Sequence, residues 1–472
     1  MTPTLKQSLT TLEYFTFGFG TMIGVGWLVL MDDWLGRGGP GGAMLGFAVG
    51  GVLLLPIALT YGRLVRAIPD AGAEIAYTER VFPRFVAFGA GWIMVLAYAI
   101  VCPWEAAVIG NLLARVFPAM DSMPLYQVAG KTIYAPRLAA GLLLTAFIAA
   151  VNYRGIRQSG LFQDVTTLGL LAAFAVFASL GFARGDASRL EPLFARPGVS
   201  GALVSTLLVL QVVPYFMTGF ESVAKGSEEA RPGFEPRNFA RAINLAVLSG
   251  ATFYVLVVGA VALVYPWRDL VEGGIGTEVA FERAFGSRTV ANVILIGAFL
   301  SLFKVFNGNF VAASRLVYAI GRRGLVHGAL GGVHPRYGTP APAILLMAGL
   351  TAAGALLGDA LLVPVTEVGS LASGLGWLSA CVAYLLIRPV SQSHGRGMIL
   401  AGLGTLTGVA IVAMKVIPAV PGSFRPAEWA ALAAWCLLGL GFWLARPGHG
   451  PGGASAAPPG SVAENPTAES DT

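Results

Sequence analysis

Four charged side chains interrupt long apolar runs in this sequence: Glu105, Glu221, Lys304 and Glu367. Each costs at least ~2.5 kcal/mol to place at membrane depth, so each needs a partner or a task. Lys304 can neutralise any one of the three acids in a structural salt bridge, but a carboxylate is then left over. A surplus acid in a dry site is suited to carrying a proton or holding a cationic solute. Glu367 falls near the edge of its run, where an interfacial position needs no function. Asn307 and Asn309, in the same run as Lys304, can hydrogen-bond a solute or a neighbouring helix. Tyr215, Phe216 and Phe220 precede Glu221 and can close over a solute, although most membrane aromatics only pack or anchor.

The surrounding elements follow from hydropathy. Of 472 residues, 56% are hydrophobic and only 12% charged, and the mean hydropathy is +0.71, more apolar surface than a water-soluble fold can hide. Apolar stretches near 12–31, 42–66, 85–117, 136–153, 161–183, 203–225, 240–265, 289–320, 341–358, 361–388, 398–417 and 427–445 predict an all-α polytopic membrane protein of about twelve transmembrane helices. Only residues 1–11 precede the first span, and its glycine-interrupted run lacks a small-x-small cleavage site, so it reads as a retained span. Lys and Arg are more numerous on the side that holds both termini, which predicts a multi-pass protein of the cell (inner) membrane with cytoplasmic termini. The net charge of +6 is explained by those loops rather than by nucleic acid. Residues 446–472 are rich in Pro, Gly, Ala and Ser and cannot bury a core, which predicts a disordered tail.

Several chemistries are disfavoured. Cys102, Cys381 and Cys436 show no paired spacing, and the four histidines lack the i, i+4 pairing of a helical metal site, so neither a metal nor another cofactor is expected. Gly130-Lys131-Thr132 has Leu125 where a G-x-x-x-x-G-K-[ST] phosphate loop needs glycine, so no such loop is present to drive an ATP-dependent pump.

Two spans carry glycine and proline at mid-depth. The first holds Gly18, Gly20, Gly24 and Gly26 around Thr21-Met22-Ile23; the sixth holds Pro214, Thr218-Gly219-Phe220-Glu221 and Gly226. Such residues free backbone N–H and C=O groups, which are tolerated only where they face protein or a water-filled cavity. Gly42, Gly46 and Gly50, at spacing four, need no more than close helix packing. The first and sixth spans open two successive five-helix blocks, 12–183 and 203–388, with helices at 398–445 following, so matched interruptions are what an inverted repeat of transporter type shows.

These motifs resemble the amino acid-polyamine-organocation superfamily of secondary transporters. The resemblance rests on Gly20-Thr21-Met22-Ile23-Gly24-Val25-Gly26, on Gly219-Phe220-Glu221-Ser222 followed by Glu228-Glu229 and Pro232, and on Ser314-Arg315-Leu316-Val317-Tyr318-Ala319 with Arg323-Gly324-Leu325, then Gly338-Thr339-Pro340-Ala341-Pro342-Ala343-Ile344. It implies a five-plus-five inverted repeat with two further helices. It also implies that the unwound first span, at Ile23, Gly24, Val25 and Gly26, offers N–H groups to a substrate carboxylate, while Tyr215, Phe216 and Thr218 on span six receive the amino group. Glu221 matches a glutamate linked to proton coupling in basic amino acid and diamine exchangers. The lysine that some sodium-independent relatives carry in span five is missing between Leu161 and Ala183, which leaves Lys304 as a fixed cation or sodium as the coupling ion. Glu105 lies outside the shared pattern.

The expectation is therefore a secondary active transporter of amino acids or related amines, working by alternating access with proton-linked symport or exchange. Its partners would be the bilayer, the solute, and a proton or sodium ion. A polyamine or diamine exchanger, a membrane nutrient sensor that binds without transporting, and a membrane-embedded enzyme are the competing classes; the last lacks a plausible catalytic set.

Overall fold

The computed structural model describes residues 5–361, 364–387 and 394–446. The predicted tail from residue 447 onward lies outside the described residues, as do residues 1–4 and the end of the second block at 388.

The chain enters the bundle through α1 (Thr11–Met22), whose start is fixed by a capping box. The Thr10 hydroxyl accepts the Glu13 N–H and Glu13 accepts the Thr10 N–H at 2.7 Å, so two backbone donors that a helix start would leave bare are satisfied. After a break come α2 (Gly26–Val29) and α3 (Met31–Ala67). The sequence places a charged loop at 32–37 and starts the second span at 42, whereas helix already runs from Met31. Arg37 accounts for the difference: it pairs with Asp33 one turn earlier at 2.8 Å and with Glu367 at 2.9 Å, so these charges neutralise one another on a helix. Gly39, at φ +65°, then kinks α3 where it meets the backbone of Leu193–Ala195.

A short α4 (Glu74–Thr78) folds back inward before α5 (Arg84–Ala99) and α6 (Val101–Val116), which together form the third span. Between α6 and α7 (Ala135–Arg154) lies the departure from an all-α expectation: strands β1 (Pro124–Val128) and β2 (Lys131–Tyr134) form an antiparallel hairpin. Then follow α8 (Ile156–Ala183), α9 (Gly198–Leu210), α10 (Val213–Met217), α11 (Ser222–Lys225) and α12 (Arg237–Val264). Two amphipathic segments, α13 (Trp267–Glu272) and α14 (Thr277–Phe285), precede α15 (Arg288–Arg322), α16 (Ala341–Ala355), α17 (Pro364–Leu386), α18 (His394–Val416) and α19 (Pro426–Leu444).

Among the described residues ten helices, broken ones included, are long and apolar enough to cross a membrane, against about twelve expected. The difference lies in α9 and α16, which are apolar but shorter: the sixth span is interrupted after Leu210, and the ninth stops at Ala355 before a 3-10 turn. The helical polytopic class stands.

The centre of the bundle packs large side chains around the broken segments. Trp34, Trp104, Trp377, Tyr61, Tyr98, Tyr254 and Phe220 are all fully buried there. At the periphery, α19 buries little of its surface but is tied to α5 by a reciprocal exchange. The Trp92 indole donates to the Trp435 carbonyl at 3.0 Å and the Trp435 indole to the Trp92 carbonyl at 3.1 Å, with the rings stacked 4.7 Å apart.

Candidate substrate site between two broken helices

Both glycine-marked spans are interrupted. In the first, the helix stops at Met22, Ile23 is extended (φ −88°, ψ 95°), and helix resumes at Gly26. In the sixth, Thr218 is extended (φ −65°, ψ 131°) and Gly219 takes φ +136°, which only glycine tolerates without strain. The breaks touch: a Cβ on Gly219 would lie 2.6 Å from the Met22 nitrogen and 2.7 Å from the Thr21 carbonyl carbon. Gly24 and Gly26 serve the same closeness, since a Cβ on them would meet the Glu105 Oε1 at 2.9 Å and the Phe216 ring at 2.6 Å.

Beside the breaks lies a small cavity, lined by Gly24, Gly26, Glu105, Tyr215, Phe216, Thr218 and Asn309 together with Thr21, Met22, Val101, Trp104 and Val305. Seven of the proposed site residues thus meet at one place. Ile23 and Val25 are fully buried and do not line the cavity; the Ile23 carbonyl accepts from Ser301 at 3.1 Å. Thr218 bonds back to the Pro214 carbonyl at 2.7 Å and to Ser373.

Three lining residues carry a buried polar atom with no hydrogen-bond partner: Glu105 Oε2, Asn309 Oδ1 and Tyr215 Oη. The Asn309 amide is oriented unambiguously, because its Nδ2 donates to the Thr21 and Val305 carbonyls at 3.0 and 2.8 Å. Buried polar groups are ordinarily satisfied, and three unsatisfied ones beside one cavity are atoms that a polar guest can pair with.

Lys304 pairs with none of the three buried acids. Its Nζ donates to the Gly20 carbonyl at 3.2 Å and to the Ile23 carbonyl, two acceptors freed by the break in the first span. Glu221 does not line the cavity; it accepts from Tyr98 Oη at 2.8 Å and from the Gly219 N–H at 3.1 Å. Glu367 is neutralised by Arg37 and by Lys415, as an edge position allows. Asn307 is consumed in a seam between helices, accepting from Asn152 at 2.9 Å and donating to Ser159 and Gln163 at 3.0 Å each.

One group escaped the sequence pattern. Glu74, which hydropathy assigns to a loop, and Lys225, the last residue of the predicted sixth span, are fully buried beside Glu221. Lys225 donates to Glu74 at 2.6 Å, Tyr61 donates to the same oxygen at 2.5 Å, and the Lys225 ammonium sits 5.1 Å from the Tyr98 ring centre. Two carboxylates share one ammonium, so the cluster holds one acid in excess. Among the described residues no group of His, Cys, Asp or Glu is arranged to hold a metal.

Comparison with known proteins agrees with this geometry. The family model described as amino acid permease matches residues 9–442. The branched-chain amino acid permease BcaP of Bacillus subtilis is 25% identical over 420 residues, 86% of each chain. The methylthioribose transporter of the same organism is 25% identical over 345 residues, covering 71% of this chain and 72% of that one. Mouse cationic amino acid transporter 4 is 29% identical over 382 residues, 79% of this chain but 58% of the longer mouse protein. A protein with interrupted helices around a buried cavity, matched along nearly its whole length by that model, belongs to the amino acid permease family and is a membrane transporter, not an enzyme.

Proposed function

We propose that this chain is a secondary active transporter of amino acids or related amines, working by alternating access in the cell membrane with both termini cytoplasmic. The carrying observation is the convergence of three unpartnered polar atoms on one cavity between two interrupted helices. The breaks in the first and sixth spans support two five-helix inverted repeats with two helices appended, because matched mid-membrane interruptions mark the binding site in such folds. In this reading Gly24, Gly26, Glu105, Tyr215, Phe216, Thr218 and Asn309 contact cargo, with Ile23 and Val25 shaping the break.

Two features support proton-linked rather than sodium-linked transport. Lys304 already supplies a fixed positive charge to the Gly20 and Ile23 carbonyls, the acceptors that a bound cation would use. The cluster of Glu221, Glu74 and Lys225 holds one carboxylate more than it can neutralise, which favours carriage of a proton. Relatives named for branched-chain and for cationic amino acids support an amino acid or amine cargo, and the one named for methylthioribose supports a site that also admits solutes of other kinds.

The test is uptake into proteoliposomes of purified chain under an imposed pH gradient, with sodium or choline as the external cation. Proton-driven accumulation that persists in choline and vanishes in Glu221→Gln, with the variant still folded, is expected. Accumulation indifferent to the pH gradient removes Glu221 from coupling, and binding with no accumulation of any solute favours a sensor.

A further inference from the structure

In this fold the amides freed at Gly24 and Val25 would be the natural seat for an anionic group of the cargo. Here an acid of the chain itself lies against that segment. The Glu105 Oε1 lies 2.9 Å from where a Cβ on Gly24 would stand, and both residues line the cavity. Glu105 is 1% exposed and, among the described residues, has no ammonium or guanidinium bonded to it; Lys304 spends its hydrogen bonds on the Gly20 and Ile23 carbonyls.

The unpartnered atoms have a common character. Glu105 Oε2 and Asn309 Oδ1 are pure acceptors, and Tyr215 Oη accepts as well as donates. Together they match a guest that donates several hydrogen bonds and carries positive charge. A second carboxylate brought against Glu105 would meet a like charge in a dry site, which disfavours it. Resting on the transport reading above, we propose that Glu105 fills the place of a cargo carboxylate and serves as counter-ion, so that the preferred cargo is an organic ammonium for which a carboxylate is dispensable.

The inference is tested by direct binding to the purified full-length chain in detergent, using amines matched with their parent amino acids: agmatine against arginine, cadaverine against lysine, and 3-methylbutylamine against leucine. At least one amine should bind more tightly than its parent by about tenfold. Glu105→Gln should weaken that amine by about tenfold or more. Glu105→Ala, which vacates the place beside Gly24, should gain affinity for the parent amino acid.

If removing the carboxylate abolishes binding in every wild-type pair, the inference is overturned while the transporter assignment stands. Retained amine affinity in Glu105→Gln would likewise overturn it. Failure of the wild type to bind any amine or amino acid overturns both. The wild-type comparison decides alone should either variant fail to fold.

Discussion

The Lys304 ammonium is bonded to the carbonyls of Gly20 and Ile23, so a charge on α15 stabilises the interrupted end of α1. Lys304→Met keeps the volume and removes the charge, leaving two buried acceptors bare at about 1–3 kcal/mol each. Uptake is expected to fall by about tenfold or more, while wild-type uptake stays unchanged when choline replaces sodium. Sodium-stimulated uptake in the wild type would contradict this role for Lys304.

Arg315 grips Glu229 through two hydrogen bonds, at 2.9 and 3.2 Å, and both side chains are sealed from solvent. Removing one member of such a pair leaves an uncompensated charge, which costs about 3–5 kcal/mol. Glu229→Gln should therefore lower the melting temperature in detergent markedly. Glu235→Gln, whose partner Arg237 is exposed, should barely change it.

Gly219→Ala should destabilise by about 1–3 kcal/mol or more, since φ +136° strains any side chain and the new Cβ would strike the first span's backbone. Gly349→Ala, in the middle of α16 with open space around the added methyl, should leave stability unchanged or raise it. Equal effects in the two variants would show that the contact between the breaks is unimportant.

Asp70, in the turn between α3 and α4, gives a pH signature. Burial disfavours its charge, but Arg323 at 2.6 Å and the Gly72 N–H at 2.7 Å outweigh burial and hold the carboxyl below the ordinary aspartate range. A carboxyl lowered on folding contributes stability above its unfolded value of about 3.9, and that contribution disappears as pH falls through the lower folded value. Wild type should melt above Asp70→Asn at neutral pH, and the gap should close below pH about 4. A gap that widens on acidification would refute the assignment.

What hydropathy and glycine placement reveal is local chemistry. The breaks at Gly24 and at Thr218–Gly219 were legible because glycine in mid-span weakens a helix wherever it occurs. Glu105 was legible as a cost, but its seat against Gly24 was not, since that depends on how α6 crosses the first span. Glu74 and Lys225 were hidden for a related reason. They occupy short helices at the ends of apolar runs, and only the inward fold of α4 and α11 buries them together. The β1–β2 hairpin escaped because a brief alternation in a connecting segment carries little weight beside twenty-residue apolar runs.

Where Gly219 meets Thr21 and Met22, main chain lies against main chain. A side chain can swing aside to absorb a displacement, whereas abutting peptide planes pass it on. A tilt of either half-helix would therefore push the other, so the two interruptions are mechanically coupled beside the cavity.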